Sequence, residues 1–238
     1  MPGGQQALQF GDWGLKAVRR RSLQSGSHRL VHPVDQADRG RSRLGSGGTK
    51  GQPVVNSGVN EGMDITAFVA NSVGRWRSQR SAHHLAFGHF EAIMSDIEIV
   101  ALTCEDPAVI TLCHQYGINP ATAVSPFRMS WQGQSDWDES EVQGRCVLVP
   151  IPDPSHPNHG KLLRNQGYAE TIAAIGQYYL SEDGTFVLTT PYDRAAAEEK
   201  IWFVNPHLRC RVSLIKTSAG TGVVTASFAS EIRQPSST

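Results

Sequence analysis

The sequence predicts a mainly β protein: an antiparallel barrel with a short N-terminal helix and one further helix. Three observations carry this. Eight segments after Gly74 alternate polar and apolar residues with period two, the repeat of a strand with two unlike faces. Clusters of turn-forming residues separate them, "IPDPSHPNHG", "SEDG", "NPH" and "SAGTG" among them. Two stretches show helical spacing behind a capping aspartate, and many short strands with few helices argue for a barrel or sandwich.

"MDITAFVANSVG" is the first helix. Asp64 caps it, Ile65, Phe68 and Val69 share a face with Val73 near it, and Gly74 stops it. The alternating segments are "RWRSQRSAHHLAF", "FRMSW", "RCVLVPI", "GQYYL", "TFVLTT", "KIWFV", "LRCRVSLI" and "VVTASFASEI". "DPAVITLCHQYG" is the second helix, with Asp106 as cap and Pro107 in the first turn, where a missing N–H is harmless.

Composition bounds the function. The chain of 238 residues is 39% hydrophobic and 18% charged, which fits a globular domain with a tail. No run approaches the roughly 20 apolar residues of a membrane span, and there is no signal-peptide pattern. Cys104, Cys113, Cys146 and Cys210 show no metal-ligand rhythm, so they are expected to be reduced structural thiols.

The neutral overall charge hides an asymmetry. Before Met63 stand nine basic and four acidic residues, a net of +5, which leaves the rest at −5. Residues 1–62 are rich in Gly, Ser, Gln and Arg and cannot bury enough apolar surface to offset their ordering entropy. They are expected to be a disordered basic extension before a domain spanning 63–238. "RRR" could bind nucleic acid, but nothing aromatic is interleaved for base stacking. A transit-like segment is a second alternative. The favoured expectation is that the working protein starts at Met63.

The strand faces raise the functional question. If Trp76 points inward, so do Ser78, Arg80, Ala82 and His84, while Arg77, Gln79, Ser81 and His83 point out. A buried guanidinium must meet an acid or lie in a wet, ligand-holding cavity. Farther on, Glu199, Ile201 and Phe203 share one face. Arg209, Arg211 and Ser213 share another, as do Thr225, Ser227, Ala229, Glu231 and Arg233. Pattern alone does not say whether the polar faces look in or out. A polar lumen would leave the apolar faces to pack outside against helices.

A helix followed by Gly74-Arg75-Trp76 resembles the opening of lipocalin and fatty-acid-binding barrels, which enclose one small ligand. A more specific resemblance runs from Met63 to about Arg233. The blocks "GRWRSQRSAHHLAF", "SDIEI", W-x-G-x-x-x-W-D-E from Trp131 to Glu139, "VLVPIPDP", "GKLLRNQGYAE", "VLTTPY", "EEKIWF", "NPHLRCR" and "ASFASEIR" resemble the S-type (CpcS/CpeS) phycobiliprotein bilin lyases.

This resemblance implies a lipocalin-type barrel that binds an open-chain tetrapyrrole, phycocyanobilin or phycoerythrobilin, as substrate. It implies thioether attachment of that bilin to a cysteine of a phycobiliprotein subunit, with no prosthetic group and no metal. Partners would be the acceptor subunit, of phycocyanin, allophycocyanin or phycoerythrin, and a paralogous lyase subunit or a second copy. The expected place is the cytosol of a cyanobacterium or a plastid stroma. The nucleophile is the acceptor's thiol, so the lyase needs no cysteine of its own.

By motif position, Arg80 and Arg209, with Arg211 as partner, would fork onto the propionates. Trp131 and Trp137 would stack on the pigment. Glu199 and Glu231 would meet pyrrole nitrogens or supply a proton. His84 would line the pocket. Glu199, Arg209 and Glu231 are thus the expected catalytic group. The chain departs from the family at "SPFRMSWQGQSDW" and "IKTSAGTGVVTASF", beside positions that bear on which bilin and which subunit are used.

Other chemistry has less support. His83, His84, His89 and Glu91 suggest a metal, but adjacent strand histidines face opposite ways, so the cluster is not expected to converge. "HPNH" at 156–159 is read as a turn. No P-loop, dinucleotide fingerprint or GxSxG elbow is present. The main alternative is a non-catalytic carrier or chaperone of bilins or other lipophilic pigments, and another is a scaffold that binds the antenna subunit alone.

Overall fold

The alternation of inward and outward side chains closes on itself. The computed structural model describes residues 62–136, 141–165, 174–193, 195–217 and 222–235, and these form ten antiparallel strands and two α-helices. The order is α1 (Ile65–Ser72), β1 (Gly74–His84), β2 (His89–Ala101), α2 (Pro107–Gln115), β3 (Phe127–Ser135), β4 (Glu141–Asp153), β5 (His156–Arg164), β6 (Ala174–Leu180), β7 (Phe186–Pro191), β8 (Ala195–Asn205), β9 (Leu208–Thr217) and β10 (Val223–Arg233). Each strand pairs with the next, and β1 pairs with β10, so the barrel has no free edge.

Both predicted helices are present with their caps. The Asp64 carboxylate accepts from the Ala67 N–H at 2.8 Å, and that of Asp106 from the Ala108 N–H at 2.8 Å. Two strands lay outside the predicted set. β2 carries the "SDIEI" block and buries Ile93, Ser95, Ile97 and Ile99. β5 begins inside the stretch read as a turn: His156 to His159 belong to it, exposed and polar, before it dives inward at Leu162 and Arg164. The turn itself is far shorter, because Asp153 already pairs with His156.

α1 covers one end of the barrel. Phe68 stacks on Phe186 with centroids 4.4 Å apart and meets Phe203 edge-on at 5.8 Å, while Tyr178 stacks on Phe186 at 5.5 Å. Trp76 is fully buried at this end, and its indole N–H donates to the Ser72 carbonyl at 2.8 Å. The Arg233 guanidinium lies 4.2 Å from the indole centroid, a cation–π contact. It also donates to the carbonyls of Asn71, Val73 and Pro206, tying the last strand to the end of α1. Gly74 stands at the junction with φ +127°, and a Cβ there would come within 2.7 Å of Arg233 Nη1. The Gly-x-Trp opening is thus one half of a clamp whose other half is 160 residues away.

The polar faces look inward. Phe228 and Ile232, the apolar side of β10, are 45% and 56% exposed, not covered by a helix as expected. The outward apolar residues do meet a helix at α2, where Val109, Leu112 and Cys113 pack on Val147, Val149 and Leu163. All four cysteines are free thiols.

Gly74→Ala is expected to lower unfolding free energy by about 1–3 kcal/mol, from backbone strain and the displaced Arg233. A denaturant midpoint equal to that of the parent chain would show that the clamp does not depend on this conformation.

Candidate functional site

Ladder register stacks the inward charges in layers. Glu231 on β10 is level with Arg209, Phe203 and Ser78. One layer farther from α1 come Arg211, Ala229, Ile201 and Arg80, and the next holds Glu199, Ser213, Ser227 and Ala82. Period two along three neighbouring strands therefore alternates charge along the barrel axis, with an arginine between two glutamates.

The side chains connect as that stacking requires. Arg209 Nε donates to Glu231 Oε2 in close contact, and Arg211 Nε lies 3.4 Å from Glu231 Oε1. Arg211 Nη1 also donates to Glu199 Oε1 at 3.2 Å. Arg164, at the end of β5, donates through Nη1 to Glu199 Oε2 at 3.3 Å. Arg164, Glu199, Arg209, Arg211 and Glu231 are all at most 5% exposed. Three guanidiniums thus meet two carboxylates.

The electrostatics follow from this sharing. Burial pushes the Glu231 carboxyl up, but the charges of Arg209 and then Arg211 outweigh it and hold the group below its ordinary value. For Arg164, burial pulls down, and Glu199 more than reverses this, with help from Cys146 and Tyr192. Arg209 is pulled down by burial, offset by Glu231 and aggravated by Arg211. Arginine starts so high that it stays charged. The Cys146 thiol is raised by burial, only partly countered by Arg164, so it is a poor nucleophile.

Beside this group lies a small cavity of about 40 Å³. Arg164, Glu199, Arg209 and Arg211 line one part, and Phe68, Met129, Phe186, Leu188 and Ile201 are among the apolar residues of the rest. The space is a set of narrow gaps, so a large guest enters only by displacing side chains. An apolar slot with arginines on one wall suits a flat molecule bearing carboxylates.

Of the expected site residues, the structure brings Glu199, Arg209, Arg211 and Glu231 together. Arg80 is inward and 5% exposed, level with Arg211. Trp131 is inward too, but it packs as core over Gly144, where a Cβ would come within 2.4 Å of the indole. Trp137 lies outside the described residues. His84 sits at the other end of the barrel from α1, buried, with Nε2 2.8 Å from Glu91 Oε2, whose other oxygen accepts from Ser135 at 2.6 Å. Among the described residues no three His, Cys, Asp or Glu side chains are placed to hold a metal ion, this cluster included. His83 faces away, but the His84 and His89 rings stack at 6.1 Å. Arg164 was not anticipated. Its signal was present in "KLLR", where Leu162 and Arg164 share a face.

The comparisons bear on this geometry. The family model described as CpeS-like protein matches residues 64–234, the clamp and all five linked charges included. The chain belongs to the CpeS-like family. It is 68% identical over 157 residues to a CpeS protein of Microchaete diplosiphon, covering 66% of this chain and 71% of that one. It is 61% identical over 172 residues to "Chromophore lyase CpcS/CpeS 3" of Trichodesmium erythraeum, covering 72% and 99%. The solved structure of the S-type phycobiliprotein lyase CPES from Guillardia theta matches with TM-score 0.66 and 46% identity, over 74% of this chain and 96% of that one.

The depressed Glu231 carboxyl fixes a pH response. Its stabilisation is present above the unfolded carboxyl pKa of about 4.3 and is lost as pH falls through the lower folded value. Glu231→Gln strands Arg209 and takes one carboxylate from Arg211, so a loss of about 3–5 kcal/mol is expected at pH 7. The gap to the parent chain should narrow below about pH 4. Urea unfolding as a function of pH checks this, and a gap independent of pH would contradict it.

Proposed function

We propose that this CpeS-like chain is a bilin lyase, which binds an open-chain tetrapyrrole in the barrel and promotes its thioether attachment to a cysteine of a phycobiliprotein subunit. The observation that carries this is the buried arginine–glutamate group on the wall of an apolar lumen. A bilin is flat, apolar along its rings and anionic at two propionates, and each part has a counterpart there. Names among the relatives support the reading, since the Trichodesmium protein is named a chromophore lyase and the Guillardia protein a phycobiliprotein lyase.

In this reading Arg80, Arg209 and Arg211 hold propionates, and Glu199 or Glu231 accepts pyrrole N–H groups and keeps the pigment protonated and electrophilic. The acceptor's thiol adds to the exocyclic double bond. The C–S bond forms as the thiol proton leaves, and a proton is returned to the ring carbon. The lyase positions and shields the pigment. Trp131 supports the wall from the core, and Trp137 is kept as a stacking candidate. Phycoerythrobilin is the first pigment to test. The relative at 68% identity carries that bilin in its name, whereas one named for phycocyanobilin is 36% identical.

A carrier would bind the pigment and stop there. The chain is mixed with phycoerythrobilin or phycocyanobilin and an apo-subunit, and products are read by bilin fluorescence on a denaturing gel. A lyase yields covalently labelled subunit faster and cleaner than the spontaneous reaction. Bilin bound but never transferred would favour the carrier. Arg211→Gln is expected to cut transfer at least about tenfold, as loss of a charged hydrogen bond does. A second assay concerns the extension: deleting residues 2–62 is expected to leave transfer intact, and lost activity would give that segment a role.

A further inference from the structure

The two glutamates are held differently. Glu231 is in close contact with Arg209 and lies outside the lining of the cavity. Glu199 lines the cavity and is held by single contacts of 3.3 Å to Arg164 and 3.2 Å to Arg211. Charge-assisted hydrogen bonds in good geometry run at about 2.7–2.9 Å and arginine commonly grips a carboxylate with two parallel bonds. Glu199 is thus loosely shared, one oxygen to each arginine, and neither arginine forks onto it.

The surroundings add a direction. Arg211 stands one layer from Glu231 and reaches both glutamates, so moving it disturbs both pairs. Arg164 stands at the end of β5, lines the cavity and meets Glu199 alone of the two glutamates. A guest entering these narrow gaps must displace side chains, and a carboxylate competes best where the existing grip is weakest.

We propose that Arg164 is a specificity-determining residue: a carboxylate of the tetrapyrrole takes Arg164 from Glu199, leaving Glu199 on Arg211 with Oε2 turned toward the pigment. Binding of the carboxylate and release of the acid are then one event. Glu199 becomes the group that meets the pyrrole N–H atoms, and Glu231 stays a structural counter-ion. The assignment rests on the bilin-lyase function proposed above.

The test compares phycoerythrobilin with its dimethyl ester on the full chain, by titration of the bilin absorption. The wild type is expected to bind the free acid about tenfold or more tighter than the ester. In Arg164→Gln the ratio of the two dissociation constants should fall toward one, and Arg164→Lys should keep part of it. A general loosening of the pocket weakens both ligands and cancels in the ratio, so a merely structural arginine would leave it unchanged. Equal ratios in wild type and Arg164→Gln overturn the proposal while leaving the lyase function standing. Equal binding of acid and ester by the wild type overturns it without any variant. A wild type that binds neither form overturns the lyase function and this assignment with it.

Discussion

The structure depends on burying charge in alternation. A lone guanidinium in a barrel interior is too costly to keep, and so is a lone carboxylate. Stacked along the axis as Glu231, Arg211 and Glu199, flanked by Arg209 and Arg164, the charges neutralise one another in a place where their attraction is little screened. Each member supports its neighbours, so the inward polar faces of β8, β9 and β10 can close the barrel only together. The arrangement is less a source of stability than a condition on it, since well-packed apolar side chains would fill the same space more cheaply.

That condition is what makes the lumen useful. An apolar interior would bind fatty material without regard to charge, and a wet polar one would leave a reactive pigment open to water. Here apolar side chains face a buried wall of Arg164, Glu199, Arg209 and Arg211. The clamp of Trp76, Arg233 and α1 closes one end, and this keeps the charged layers away from solvent on that side. The reactive thiol is supplied by the acceptor, which fits a lumen whose own cysteine, Cys146, is held as a neutral thiol by burial.

Much of this was legible in the sequence, because period two reports faces reliably. It placed Arg80 inside once Trp76 was set inside, and it put Arg209 with Arg211 and Glu231 with Ala229 on single faces without telling which way those faces look; both capped helices followed from Asp64 and Asp106. What it did not report was which glutamate meets which arginine, since that needs the register of three strands. β5 was hidden because its first residues, His156 to His159, are exposed and turn-like, and Arg164 was lost with it. Trp131 was expected as a stacking face, but Gly144 on the next strand leaves room for the indole in the core. His84 and Glu91 lie seven residues apart and meet only because β1 and β2 form a hairpin. The resemblance of the quoted blocks reached farther than pattern did, and the family assignment agrees with it.

The central claim is that the pigment sits in the lumen against the linked charges. A crystal structure of the chain with phycoerythrobilin bound tests it most directly. The account predicts tetrapyrrole density inside the barrel, with its carboxylates on arginines of the inward layers and the contacts of Glu199 rearranged. Pigment on the outer surface, with the contacts of the arginine–glutamate group unchanged, would contradict it.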